Sequence, residues 1–384
     1  MDDTITVSGD RHGRGPTGAA ARQSVIADYL RESDELGHEQ PPGVSRWSEN
    51  YLSGACFPSA GAGVWLHQSR PAHDPRFWEE VFSFALPGDR CLYAKGATLA
   101  PGPGHAAVGP ALTYQCLEPF RTWRKSFHGL AQLVTGEQAR AGALRDGPHL
   151  AVDMDLTWEC VGPAFDMDMS EQVWADVKAH YQQHGRVSGS IAFGNERLEL
   201  DGFGIRDHSW GPRDLSGLGN HTWIYGEFPS GRRIMYFWHL TPEGHGRLDV
   251  GHEAEGDNLR PLRLAAGHQP PVPRPARGYA DPYEIALERS TGEIATLRGE
   301  IRATIPLGLA SDSEVTLGAA GEQDSHHLFE CPSRLEWDGE TGYGITEWTW
   351  RTDMTPGETL ALNTRPGDRF ARSADPLFGG SREP

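Results

Sequence analysis

The chain contains no run of the ~18 apolar residues that a membrane-spanning helix requires. Its first residues, MDDTITVSGDRHGRG, lack the apolar stretch of a secretory signal. A cytoplasmic protein without stable membrane insertion is therefore expected. Basic residues are scarce: 35 Lys and Arg against 53 Asp and Glu leave a net charge of −18, spread along all 384 residues. Such a surface repels phosphate backbones, which sets nucleic acid aside as a partner. The five cysteines are isolated and odd in number, without a CxxC, so neither a zinc ribbon nor a disulfide framework is indicated. HxH, HExxH, a P-loop, a strand-GxGxxG-helix order and GxSxG are all missing. No metal, nucleotide or other cofactor is expected, and His180 and His184, four residues apart, would bind a metal only if a third ligand approached.

What the chain does have is punctuation. Gly (47) and Pro (28) together approach a fifth of the sequence, while apolar residues reach only 38%. That composition favours many short strands over long helices. In HLAVDMDLTWEC, Val152, Met154, Leu156 and Trp158 alternate with polar residues, as a half-buried antiparallel strand does. RVSGSIAF, GNE and RLELDGFG read as a hairpin turning at Gly194-Asn195. Alternation continues through YEIALER, IATLRGEIRATI, HHLFECPSRLEWD and GYGITEWTWR, beyond a Pro-rich connection at 269–277. Two segments carry helical spacing instead: Val25, Ile26, Tyr29 and Leu30 near the start, and Val173, Trp174, Val177 and Tyr181 within 170–184. The sum is an all-β protein of ~16 to 20 strands, enough for two antiparallel barrels or sandwiches of lipocalin type, with a short helical insertion.

The densest chemistry lies in DGFGIRDHSWGPRD, residues 201–214. In an extended chain Asp207 and Ser209 point to one face and His208 and Trp210 to the other. Burial against aromatic walls would raise the Asp207 carboxyl and keep it protonated as an acid, whereas pairing with Arg206 or Arg213 would make it a structural ion. The hairpin that follows, TWIYGEF-PSGR-RIMYFWHL, pairs Phe228 with Arg233 in the simplest register. Trp223 then faces Trp238 and Tyr225 faces Tyr236, a wall of four aromatics that serves equally as ordinary core packing or as a substrate surface. Glu347, between Trp348 and Trp350 in sequence, is a second candidate pocket carboxylate.

The run G-x-R-DHSWG-x-R followed by this aromatic hairpin resembles the carotenoid 1,2-hydratase (hydroxyneurosporene synthase)/AttH-like family. CLEPFRTWRKSFHG, HGRVSGSIAF and GYGITEW are similar to further segments of that group. The resemblance implies two tandem lipocalin-like barrels with a tunnel or cavity near their junction. We place them at 46–216 and 217–372, after a flexible arm with a short helix at 1–45 and before a tail at 373–384. It also implies an Asp that protonates an isoprenoid double bond, water then capturing the cation. Carried onto this chain, that Asp is Asp207, with His208 beside it and Arg206 tuning or orienting it. Trp210, Trp223, Tyr225, Tyr236 and Trp238 would offer aromatic faces to the cation, with Glu347 nearby. The chain departs from many hydratases at Ser209.

The expected function is that of a cofactor-independent hydratase or cyclase acting on an apolar, isoprenoid-like small molecule by acid catalysis at a C=C bond. Two alternatives stand beside it. One is a pericyclase of Diels-Alderase type that works by preorganising its substrate, and the other is a non-catalytic carrier of a hydrophobic ligand.

Overall fold

A computed structural model describes residues 25–144, 147–167, 179–213, 215, 217–244, 246–270, 282–310, 314–318 and 325–354. Almost all regular structure in them is β: β1 (Val25–Ile26), β2 (Trp47–Phe57), β3 (Ala62–Arg70), β4 (Phe77–Leu86), β5 (Arg90–Leu99), β6 (Leu112–Glu118), β7 (Thr122–Thr135), β8 (His149–Cys160), β9 (Phe165–Asp166), β10 (Ala179–Phe193) and β11 (Glu196–Pro212) form one sheet. The second holds β12 (Asn220–Glu227), β13 (Arg233–Leu240), β14 (Gly246–Glu255), β15 (Asn258–Leu264), β16 (Tyr283–Arg289), β17 (Ile294–Ile301), β18 (Ile305–Ala310), β19 (Val315–Leu317), β20 (Ser325–Trp337) and β21 (Glu340–Arg351). One short α-helix, Gly136–Arg140, is the only α-helix among the described residues, and none there is long and apolar enough to cross a membrane.

Both sheets are antiparallel and each closes on itself. In the first, β8 pairs with both β7 and β10, completing the ring β2-β3-β4-β5-β7-β8-β10-β11. In the second, β17 pairs with β20 and completes β12-β13-β14-β15-β16-β17-β20-β21. Closure removes the unpaired edges of eight strands in each case. Alternation fills each interior: Val152, Met154, Leu156 and Trp158 of β8 point into the first core, and Ile224, Tyr236 and Trp238 into the second.

The turn expected at Gly194-Asn195 joins β10 to β11, with Phe193 opposite Glu196 and Gly194 at φ 55°. Two other readings need correction. The helix expected over 170–184 is strand from Ala179 onward, and residues 168–178 lie outside those described. Every residue from Ala179 to Phe193 pairs with one of β11, and this long ladder outweighs the helical spacing of a few apolar side chains. Near the start, Val25 and Ile26 pair with β9 as a strand rather than opening a helix. The Pro-rich connection falls mostly outside the described residues.

The register of the β12–β13 hairpin also differs from expectation. Glu227 pairs with Arg233, and Phe228 N–H bonds the Arg232 carbonyl at 2.9 Å, one step away from the simplest turn. A one-residue slip exchanges the faces of a strand. Trp223 therefore sits opposite Phe237 and Tyr225 opposite Met235, with Tyr236 and Trp238 on the other side.

The two rings pack outer face to outer face. Cys56 and Ile205 of the first meet Trp223, Tyr225, Met235 and Ile345 of the second in one apolar cluster. Trp65, Val81 and Tyr93 meet Ile305, Leu307 and Leu328 in another. Between these clusters lies the site.

Candidate active site between the two rings

β11 sets the geometry by simple alternation. Asp207 and Ser209 share one face, as expected, and the structure turns it to the second ring, while Arg206, His208 and Trp210 face the interior of the first. The glycines ahead of them allow close strand approach: a Cβ on Gly204 would lie 2.2 Å from the Gly54 carbonyl oxygen, and one on Gly202 2.0 Å from that of Cys56.

Asp207 borders a cavity of about 150 Å³ between the rings. Its walls are mainly apolar, with Leu52, Trp65, Trp223, Phe237, Leu248 and Leu328 prominent. Into these walls are set two histidine–carboxylate pairs, one from each ring. In the first, His180 Nε2 hydrogen-bonds Asp207 Oδ2, which also accepts from Gln182 Nε2 at 3.2 Å. In the second, His221 Nε2 hydrogen-bonds Glu347 Oε1, with Thr349 Oγ1 2.9 Å from the same nitrogen. Asp207 is 7% exposed and Glu347 4%, so both pairs work in a medium poor in water.

Burial pushes the Asp207 carboxyl upward, but the charge and hydrogen bond of His180, then Arg213 and Gln182, outweigh it and hold the group below its ordinary value. Asp207 is thus an ionised, paired carboxylate and not the neutral acid expected from desolvation alone. Of the two arginines, it is Arg213 that opposes the shift. Its own guanidinium is driven down by burial to about 10, still cationic at neutral pH, and it donates to Ser209 Oγ at 2.5 Å. His67, also on the wall, is pushed by burial down to about 3 and stacks on Trp65 at 5.2 Å.

Arg206 and His208 do not join Asp207, because neighbours along a strand project oppositely. Arg206 pairs with Glu35 at 2.8 Å and donates to Gln183 Oε1 at 2.6 Å, both inside the first ring. His208 lies 3.1 Å from Glu49 and 3.1 Å from Tyr181 Oη. Trp210 stacks on His38 at 3.8 Å rather than lining the cavity. Among the expected aromatics, Trp223 lines the cavity, and Tyr225 shares its face but packs beyond the wall against Gly54. Tyr236 and Trp238 belong to the core of the second ring, where Tyr236 Oη donates to Asp249 at 2.9 Å. Glu347 is on the wall as expected.

A second cluster, His38, Glu49 and His208, brings three ligand-type atoms within 4.8 Å of one another. The three atoms that meet already bond one another, through His38 Nδ1 and His208 Nε2 to Glu49 Oε1. Glu49 accepts from the His38 backbone N–H at 3.0 and 3.1 Å, pairs with His38 Nδ1 at 2.7 Å and meets Arg70 at 3.5 Å. Burial lowers His38, but Asp34 and Glu49 raise it to about 9, so at neutral pH it is a cation. The cluster is an internal ion-pair network.

Sequence reasoning missed the catalytic prospects of His180, His221, Gln182 and His67. His180 and Gln182 were recoverable: read as a strand, HYQQH places His180, Gln182 and His184 on one face. Those of His221 and His67 depend on which outer face of each ring meets the other, a matter no local pattern encodes.

Comparison with known proteins places the fold. No curated protein matches the sequence. In structure, the chain is similar to the AttH-designated protein NE1406 of Nitrosomonas europaea, with TM-score 0.50 and 15% identity over 82% of this chain and 99% of that one. It is equally similar to CghA, with TM-score 0.50 and 10% identity over 87% of this chain and 99% of the other. Kievitone hydratase from Nectria haematococca aligns at TM-score 0.46 with 12% identity, over 86% and 96% of the two chains. The tandem lipocalin-like fold expected from the DHSWG resemblance is the fold found. The family model described as "Domain of unknown function (DUF7064)" matches residues 31–352, nearly the whole described structure, and the chain belongs to that family.

Proposed function

We propose that the protein is a cofactor-independent enzyme that moves protons at a C=C bond of an apolar, isoprenoid-like small molecule, as a hydratase or cyclase. The observation that carries this reading is the convergence of His180–Asp207 and His221–Glu347 on one largely apolar cavity. A carrier has no need of two desolvated histidine–carboxylate pairs, since each costs free energy to bury. A proton-transfer enzyme needs a donor and an acceptor on opposite sides of the reacting carbons.

The cavity, at about 150 Å³, suits a group of benzene size, so one end of a longer molecule enters it. The ionised Asp207, bonded to His180, orients and deprotonates the attacking water or the cyclised cation. Glu347 and His221 stand on the donor side. Trp65, Trp223 and Phe237 line the cavity, and aromatic rings there favour a carbocation. A structure of CghA, which shares the fold, contains Sch210972.

The test is incubation in deuterated water with linear isoprenoids, from geraniol upward, followed by mass spectrometry of products. Proton transfer to carbon predicts one deuterium per product molecule at the protonated carbon. Products free of deuterium would favour pericyclic chemistry, and tight binding without any product would favour the carrier. Either result sinks the proposal.

A further inference from the structure

Alkene protonation requires an acid that holds its proton at neutral pH, yet both carboxylates on the cavity wall are held below their ordinary values. The residue directly behind one of them resolves the difficulty. Glu330 on β20 stands opposite Glu347 on β21, in a register that continues to Trp223 on β12. Its side chain is 1% exposed, and neither carboxyl oxygen is hydrogen-bonded to an N–H or O–H donor among the described residues. The Trp65 indole and Tyr225 hydroxyl lie nearby, but each is itself without a hydrogen-bond partner of normal geometry there. The Glu347 carboxyl stands directly across the strand pair from it and is its nearest charged neighbour. Two carboxyl groups in contact can hydrogen-bond only if one of them carries a proton.

We infer that Glu330 and Glu347 share a single proton across the β20–β21 pair, and that Glu330 is the reservoir from which the cavity's donor side is charged. This rests on the proton-transfer reading of the cavity. Burial, reinforced by the Glu347 charge, pushes Glu330 well above the ordinary carboxyl range. Like-charged carboxylates in contact behave in this way, ionising one at a time. The interaction with Glu330, followed by the charge and hydrogen bond of His221, keeps the negative charge on Glu347 at rest.

The step balances without a further reactant besides water. Glu330 passes its proton to Glu347, and Glu347 delivers it to carbon. The π pair becomes the new C–H bond and leaves a cation on the adjacent carbon. Water adds there, and the proton it releases goes to the Asp207–His180 pair and returns through solvent to the Glu330–Glu347 pair. For cyclisation, a proton lost from carbon replaces the one lost from water.

Infrared spectroscopy of the intact protein tests the shared proton without any ligand. At neutral pH the wild type should show a protonated-carboxyl C=O band that shifts in deuterated water. Glu330→Gln should lose that band, and Glu347→Gln, which leaves Glu330 in place but changes its partner, should move it. If both variants melt cooperatively and leave the band as in wild type, the shared proton is refuted. With geraniol in deuterated water, Glu330→Gln should lower deuterium incorporation by ~10²-fold. Incorporation at the wild-type rate across the pH profile would overturn the role of Glu330. If the infrared results hold but the wild type deuterates no isoprenoid, the shared proton stands and the proton-transfer reading fails instead.

Discussion

Asp207 and His208 are adjacent in the chain and lie on opposite sides of β11: Asp207 faces the cavity with His180, and His208 is enclosed in the first ring with Glu49 and Tyr181. A motif that reads as one catalytic unit is thus two half-motifs with different work. Asp207, Ser209 and Arg213 border the cavity, while Arg206, His208 and Trp210 pair with or stack on Glu35, Glu49 and His38. The difference separates chemistry from stability in the variants below.

Asp207→Asn should reduce turnover by ~10² to 10⁴-fold, because the amide can neither accept a proton nor orient His180 as an anion does. The variant should still melt cooperatively, at a lower temperature because Asp207 is the counter-charge of His180 and Arg213. Arg206→Met should instead act on stability alone. It strands the buried Glu35, which is also bonded by Tyr181, Trp123 and the Phe120 N–H. A loss of ~3 to 5 kcal/mol is expected in urea unfolding, and Glu35→Gln combined with Arg206→Met should recover part of it.

The hairpin register makes a second separation. Trp223→Ala should weaken binding of an apolar ligand, measured by isothermal calorimetry or fluorescence quenching, since Trp223 is part of the cavity wall. Trp238→Ala should instead cost ~3 to 5 kcal/mol of stability, as a large side chain lost from a closed core. The affinity of the protein that remains folded should be unaltered. Equal losses of affinity in both variants would mean that the two tryptophans share a face.

Glu49 predicts an acid limb of stability. Burial alone would raise its carboxyl, but His208 and His38 bring it down to about 2 from an ordinary 4.5. The unfolded chain then binds this proton more readily than the folded one. The stabilisation is complete above pH 4.5 and disappears as pH falls toward 2. Its size is on the order of 3 kcal/mol. In urea titrations the gap between wild type and Glu49→Gln should close over that interval. His38, raised to about 9 from 6.5, gives the opposite limb: its contribution is present below pH 6.5 and is lost as pH rises through 9.

Gly204→Ala should destabilise the protein by ~1 to 3 kcal/mol. The new methyl would meet the Gly54 carbonyl oxygen at 2.2 Å and the Trp158 ring at 2.8 Å, and backbone cannot step aside as a flexible side chain can. Thermal melts of the variant check this directly. Unchanged melting would mean that β2 and β11 lie farther apart than the structure has them.

The all-β class, the β10–β11 turn and the two faces of DGFGIRDHSWGPRD were legible in the residues, because side-chain alternation is a property of the strand itself. Glu347 borders the cavity, but the tryptophans beside it in sequence turn the other way, into the core of the second ring. The helix assigned to 170–184 failed where a ladder of pairings with β11 overrode a local apolar spacing. Tyr236 and Trp238 were assigned to the wrong face because a turn that differs by one residue inverts a strand, and turn geometry here is settled by Phe228 bonding to Arg232. The charge state of Asp207 depended on His180 and Arg213, and that of Glu330 on Glu347, neighbours chosen by pairing and by the packing of one ring on the other. Alternation is encoded residue by residue; register, ring packing and the electrostatics of a buried carboxyl are set by contacts distant in the chain, and tertiary structure alone decides them.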